Sequence, residues 1–76
     1  MTPVVLPEEA WAGGEEAALT NWFFDDGDDV SEGDLLCEVT VVKAAVEIRA
    51  PASGRLRILL PADAVVSKGV RLAEID

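Results

Sequence analysis

Histidine is absent from the 76 residues, and Cys37 is the only cysteine. A Ser–His or Cys–His nucleophile is therefore excluded. Zinc sites draw on clustered Cys and His, which this chain does not have. No intramolecular disulfide can form, so nothing points to an oxidising compartment. Basic residues are also scarce, six against fifteen acidic ones, for a formal net charge of −9. Nucleic-acid binding needs clustered Lys and Arg on phosphates and is not expected. No apolar run approaches the ~18 residues of a membrane helix. Met1–Glu9 lacks the basic and then apolar pattern of a signal peptide. The expectation is a cytoplasmic, monomeric protein with no membrane or nucleic-acid partner.

Half of the chain is hydrophobic and 28% is charged, a globular balance. The length allows one domain, residues 1–76, with one core and little room for a deep substrate pocket. Charge is unevenly spread. Eleven acidic residues and no basic one precede Lys43, whereas six basic and four acidic residues follow from Lys43 onward. Such a layout suits steering toward a basic partner surface, and equally suits plain solubility.

Apolar runs are short and bounded by turn residues. Val4–Leu6, Leu19–Phe24, Leu35–Val42, Ala45–Ala50, Leu56–Leu60 and Val70–Ile75 have strand length. Asp26-Gly27-Asp28, Glu32-Gly33-Asp34, Ser53-Gly54 and Lys68-Gly69 punctuate them. Glu8–Ala18 is the one helix-compatible stretch. It contains Gly13-Gly14, each costing roughly 1 kcal/mol inside a helix, so it reads mainly as loop. The pattern is all-β.

The chain also repeats itself. At an offset of 36 positions, Val30–Val39 falls on Val66–Ile75 with five identities, and Trp22-Phe23-Phe24 falls on Ile58-Leu59-Leu60. Two copies of one strand–turn–strand unit predict a pseudo-two-fold flattened barrel or sandwich. Gly33 and Gly69 mark the same turn in both copies, where glycine makes positive φ available.

Between the two units lies a β-branched stretch from Glu38 to Pro51. A single strand of ~14 residues would far exceed the usual length. A turn at Val42-Lys43-Ala44 divides it into two ordinary strands and sets Lys43 at a hairpin tip. Taken locally, a lysine there reads first as a solubilising charge between hydrophobic strands.

The whole pattern resembles the biotinyl/lipoyl carrier-domain family. Gly27-Asp28-Asp29-Val30 is similar to the family's Gly-Asp-x-Val turn, and Gly33-Asp34-Leu35-Leu36 to its Gly-Asp-x-Leu segment. Lys43-Ala44 falls at the Asp-Lys-Ala lipoyl site, and Glu47-Ile48-Arg49-Ala50-Pro51-Ala52-Ser53-Gly54 matches Glu-Val-x-Ala-Pro-x-x-Gly. The resemblance implies a flattened barrel-sandwich of two four-stranded antiparallel sheets with pseudo-two-fold symmetry. It implies that Lys43 carries lipoic acid through an amide, or alternatively biotin. Val41, Val42 and Ala44 would then be the turn and recognition flank. The implied partners are a lipoate-attaching enzyme and the dehydrogenase and acyltransferase components of a 2-oxoacid dehydrogenase-type system.

Ala44 favours lipoate, since biotinyl sites typically flank the lysine with methionine. The family's Glu-Thr-Asp positions are here Thr40, Val41 and Val42, so two acidic residues are missing. Biotin carriage for a carboxylase or decarboxylase, and an unmodified interaction module that kept the fold, are the competing readings. The isolated chain is expected to have no catalysis of its own. A Met1 followed at once by a strand favours a free-standing protein.

Bland roles are expected elsewhere. Trp22 belongs in the core, Trp11 caps one end of the barrel, and Cys37 is a small buried thiol without a redox role. Asp25, Asp26, Asp28 and Asp29 form a solvated turn rather than a calcium loop. Lys68 is ordinary surface.

Overall fold

The computed structural model describes residues 1–42 and 44–76. It is all-β and contains eight strands: β1 (Thr2–Val5), β2 (Ala17–Trp22), β3 (Asp29–Val30), β4 (Leu35–Val41), β5 (Ala44–Arg49), β6 (Gly54–Ile58), β7 (Val65–Val66) and β8 (Arg71–Ile75). They form two four-stranded antiparallel sheets, ordered β1-β8-β6-β3 and β5-β4-β2-β7.

Alternation explains most of this. Along β4, Leu36, Val39 and Val41 are buried while Glu38 and Thr40 stay partly exposed, as a half-buried strand requires. The inner faces close over a core that includes Leu6, Leu19, Leu36, Val39, Leu56, Leu72 and Ile75. Each such side chain contributes roughly 1.5–3 kcal/mol on burial. No polar side chain is buried among the described residues.

The 36-residue repeat is a pseudo-dyad in space. Trp22 pairs with Cys37 as Ile58 pairs with Ala73, and Asn21 with Glu38 as Arg57 with Glu74. Gly33 donates to the Ala50 carbonyl at 2.8 Å and Gly69 to the Leu6 carbonyl at 2.7 Å. Their φ values are 90° and 88°, a region L side chains enter only at a cost. The counterpart of Gly27 is Asp63, and both have positive φ. β1 is the counterpart of β5: Val39 pairs with Val46 as Ile75 pairs with Thr2, and Pro7 follows Leu6 as Pro51 follows Ala50. The end of the molecule with the β4–β5 connection is thus related by symmetry to the opposite end, where β1 meets β8.

Two details went beyond the sequence pattern. β3 and β7, each of two residues, follow the Asp- and Gly-bearing turns and are too short to show periodicity. β2 and β6 begin two residues earlier than expected and end at Trp22 and Ile58, leaving Phe23-Phe24 and Leu59-Leu60 outside the strands. Residues 7–16 hold neither helix nor strand.

Candidate functional site

The connection between β4 and β5 begins and ends on a paired couple, Val41 with Ala44, after Val39 with Val46 and Thr40 with Ala45. Ala44 therefore opens β5 rather than sitting in the turn. Val41 points inward and is buried, so of the two valines expected to flank Lys43 at the turn only Val42 is exposed, at 77%. Its φ is 53°. Two-residue hairpin connections of the favoured primed types need positive φ at this first position, normally supplied by Gly, Asn or Asp. A β-branched residue there is a backbone outlier. Lys43, the expected attachment residue, lies outside the described residues.

Behind the tip, one row crosses the outer face of the sheet: Ala45, Thr40, Ala18 and Val65, linked by successive strand pairing. Val65 is 69% exposed. Thr20 Oγ1 donates to the Glu38 carbonyl at 3.0 Å and lies 3.4 Å from Thr40 Oγ1. On the same face, two residues farther from the tip, Glu38 is paired directly with Glu47. Arg49 meets Glu47 at 3.1 Å, an exposed contact that contributes little.

Lys68 is not ordinary surface. Its ammonium donates to the carbonyls of Trp11 (3.0 Å) and Gly13, and it stands 5.6 Å from the centre of the Trp11 ring. Trp11 Nε1 donates to the Glu15 carbonyl at 3.1 Å, and Trp11 packs half-buried on the core. One lysine thus gathers the 7–16 loop, which sequence periodicity cannot show because the contact spans 57 residues. Trp22 is half-buried rather than fully in the core, because its Nε1 reaches the Leu60 carbonyl at 2.9 Å.

The acidic turn is structural. Asp28 accepts from the Asp25 amide, Asp34 from the Ser31 amide and Asp26 from the Ile58 amide, each at 2.8 Å. No group of three metal-ligating side chains is assembled among the described residues. Cys37 is buried, and burial pushes its thiol from 9.0 up to about 12, so it stays neutral and unreactive at ordinary pH. A shallow groove of about 330 Å³ runs between β1 and β5, with Val4 and Ile48 at its base and Pro7 and Pro51 on its rim. Its charged lining residues, Glu47 and Arg49, bind each other, and it holds no nucleophile with an adjacent base. Among the described residues, no helix is long and apolar enough to cross a membrane.

A two-sheet sandwich with a pseudo-dyad, whose hairpin joins the sequence Val42-Lys43-Ala44, defines a carrier domain of the biotinyl/lipoyl type. In agreement, the biotin/lipoyl family model, described as biotin-requiring enzyme, matches residues 6–75, and the chain belongs to that family. It is 38% identical over 58 residues, 76% of its length, to the lipoamide acyltransferase component of the branched-chain alpha-keto acid dehydrogenase complex of Pseudomonas aeruginosa. It is 35% identical over 65 residues, 84% of its length, to the dihydrolipoyllysine-residue acetyltransferase component of the pyruvate dehydrogenase complex of Staphylococcus epidermidis. The chain spans only 14% and 15% of the length of these relatives.

Proposed function

We propose that this chain is a lipoyl carrier, a single unit over residues 1–76 with lipoate joined to Lys43 through an amide. It serves a 2-oxoacid dehydrogenase-type system in the cytoplasm as a monomer and has no catalysis of its own. The observation that carries this reading is the β4–β5 hairpin, paired up to Val41 and Ala44 on either side of the Val42-Lys43 connection. The other lysine, Lys68, is engaged by two backbone carbonyls and the Trp11 ring. The relatives' names, lipoamide acyltransferase and dihydrolipoyllysine-residue acetyltransferase, support lipoate over biotin. So does Ala44 in place of a flanking methionine.

The residues present fit such a group. Ala44 and Ala45 are small and exposed, and Val42 turns to solvent, so the hairpin offers no bulk against an acyl arm. Lysine supplies a flexible four-carbon stem and an amine that is nucleophilic once deprotonated. When bound, lipoate supplies a dithiolane able to take up an acyl group and two electrons. The protein's part is mechanical: a packed sandwich anchors the base of the arm, and buried Val41 fixes the last strand pair before the turn.

Intact mass spectrometry of the protein from cells that lipoylate other proteins, with peptide mapping across residues 42–49, tests this. A lipoyl mass on Lys43 is the expected result. A biotinyl mass would turn the reading toward carboxylases. A bare Lys43 would favour an unmodified interaction module, the reading that exposed Val42 supports.

A further inference from the structure

Two free sheet edges flank one groove. β5 ends the β5-β4-β2-β7 sheet and β1 ends the other, and both line the groove of about 330 Å³ floored by Val4 and Ile48. A free edge carries unpaired backbone donors and acceptors that another extended chain can take up. The two edges differ. Arg55 and Asp76 exchange backbone hydrogen bonds at 3.2 and 2.9 Å, so Arg57 and Glu74, two residues along, do the same. Glu74 thus directs its backbone groups to β6, and Pro3, opposite it on β1, turns its own away from β8. There proline has no donor to offer. Glu47 is the dyad counterpart of Pro3, opposite Glu38 as Pro3 is opposite Glu74. Its amide and carbonyl, and those of Ala45, also face away from the sheet, and here the donors are present. Proline blunts the β1 edge and leaves the β5 edge open.

We infer that the β5 edge and this groove receive an extended segment of a partner protein, added antiparallel to β5, in which an acidic residue stands two positions before a basic one with an apolar residue between them. Side chains set that pattern. Ala45, Glu47 and Arg49 are exposed, while Ile48 is buried beneath the edge. Glu47 faces a second carboxylate, Glu38, across β4, and its contact with Arg49 is exposed and weak. A basic side chain opposite Glu47 relieves the repulsion from Glu38. An acidic one opposite Arg49 completes the match, and the apolar residue between them turns inward over Ile48 and the groove. β5 itself reads Glu47-Ile48-Arg49, so a second copy carries the same order. A net charge of −9 on each chain opposes that occupant and favours a partner. The contact runs from Ala45 toward Pro51, away from the hairpin tip. Nothing in it requires lipoate on Lys43, so it stands apart from the carrier reading.

The probe is the peptide acetyl-Thr-Glu-Val-Lys-Val-Lys-Thr-amide, added to the full unmodified chain. Its Glu is set to lie opposite Arg49 and its first Lys opposite Glu47. A second peptide, acetyl-Thr-Glu-Val-Glu-Val-Lys-Thr-amide, reverses only the charge that meets Glu47. Binding is followed by NMR titration and by amide hydrogen exchange.

The first peptide is expected to bind and, at saturation, to slow exchange of the Ala45 and Glu47 amides on the order of tenfold. Val46 and Ile48, already bonded to β4, should not change. The second peptide should bind on the order of fivefold more weakly. In Glu47→Lys the preference should reverse, which general attraction to a negative protein would not produce. Ala45→Pro, which removes an outward donor as Pro3 does on β1, should weaken the first peptide roughly fivefold. Lys43→Arg should leave binding unchanged. No binding to the folded chain, equal affinity for the two peptides, or protection that misses Ala45 and Glu47 overturns the proposal and leaves the carrier reading standing. Protection of those two amides without peptide, rising with protein concentration, would put a second copy on the edge and overturn it too. A bare Lys43 in lipoylating cells, with the peptide still bound, overturns the carrier reading alone.

Discussion

Val42 sets its backbone against its side chain. At φ 53° a β-branched residue costs about 1–2 kcal/mol, which Asn or Gly largely avoids. Val42→Asn should therefore raise stability by about 1 kcal/mol, seen as a rise in Tm of roughly 4–8 °C by circular dichroism. No loss of stability is expected, since the side chain is exposed. At Cys37 the argument runs through protons. Burial disfavours the thiolate and pushes the folded thiol up to about 12, against 9.0 for a free one. Its stabilising contribution is complete below pH 9 and is lost as pH rises toward 12. Urea midpoints should fall across that window, and Cys37→Ala should flatten the fall. The chain has no tyrosine and only two lysines, so few other groups confuse the reading.

The two halves place a leucine at the same β-bulge. The β4–β5 register slips past Leu36 and the β8–β1 register past Leu72, and both side chains are fully buried. Truncating either to alanine should cost about 2–5 kcal/mol by urea denaturation, with the two losses alike. Exposed Leu59→Ala should cost well under 1 kcal/mol. Much at this scale was legible in the sequence: the six longer strands, both Gly33 and Gly69 turns and the 36-residue offset. The two-residue strands β3 and β7 were not, since two residues carry no alternation. Nor was the bulge at Thr20, where the pairing slips between Leu19 and Asn21. That extra residue makes Leu19, not Thr20, the counterpart of Leu56.

Across the whole molecule, each half offers an apolar face that only the other half can cover. The dyad sets the β4–β5 hairpin at one end and the β1–β8 meeting of the chain ends at the other. Lys68 reaches across to the 7–16 loop within this assembly, holding four glutamates, Glu8, Glu9, Glu15 and Glu16, in one segment of the surface. Attraction between that cation, two carbonyls and an indole depends on where the sandwich brings β7 and the loop. Sequence distance conceals it.

By itself the sequence determined that the chain is all-β, that it is built twice from one unit, and that its hairpin falls around Lys43. Those properties are local or periodic: turn residues and alternation act within a few residues of themselves, and the repeat shows as a fixed offset of 36 positions along the chain. Only the tertiary structure decided which of Val41 and Val42 faces water, since a one-residue step along a strand reverses the side chain. It also decided that Trp22 stops short of full burial and that Glu38 meets Glu47. Each of these depends on which strands become neighbours, and that is settled when the two apolar faces close on each other.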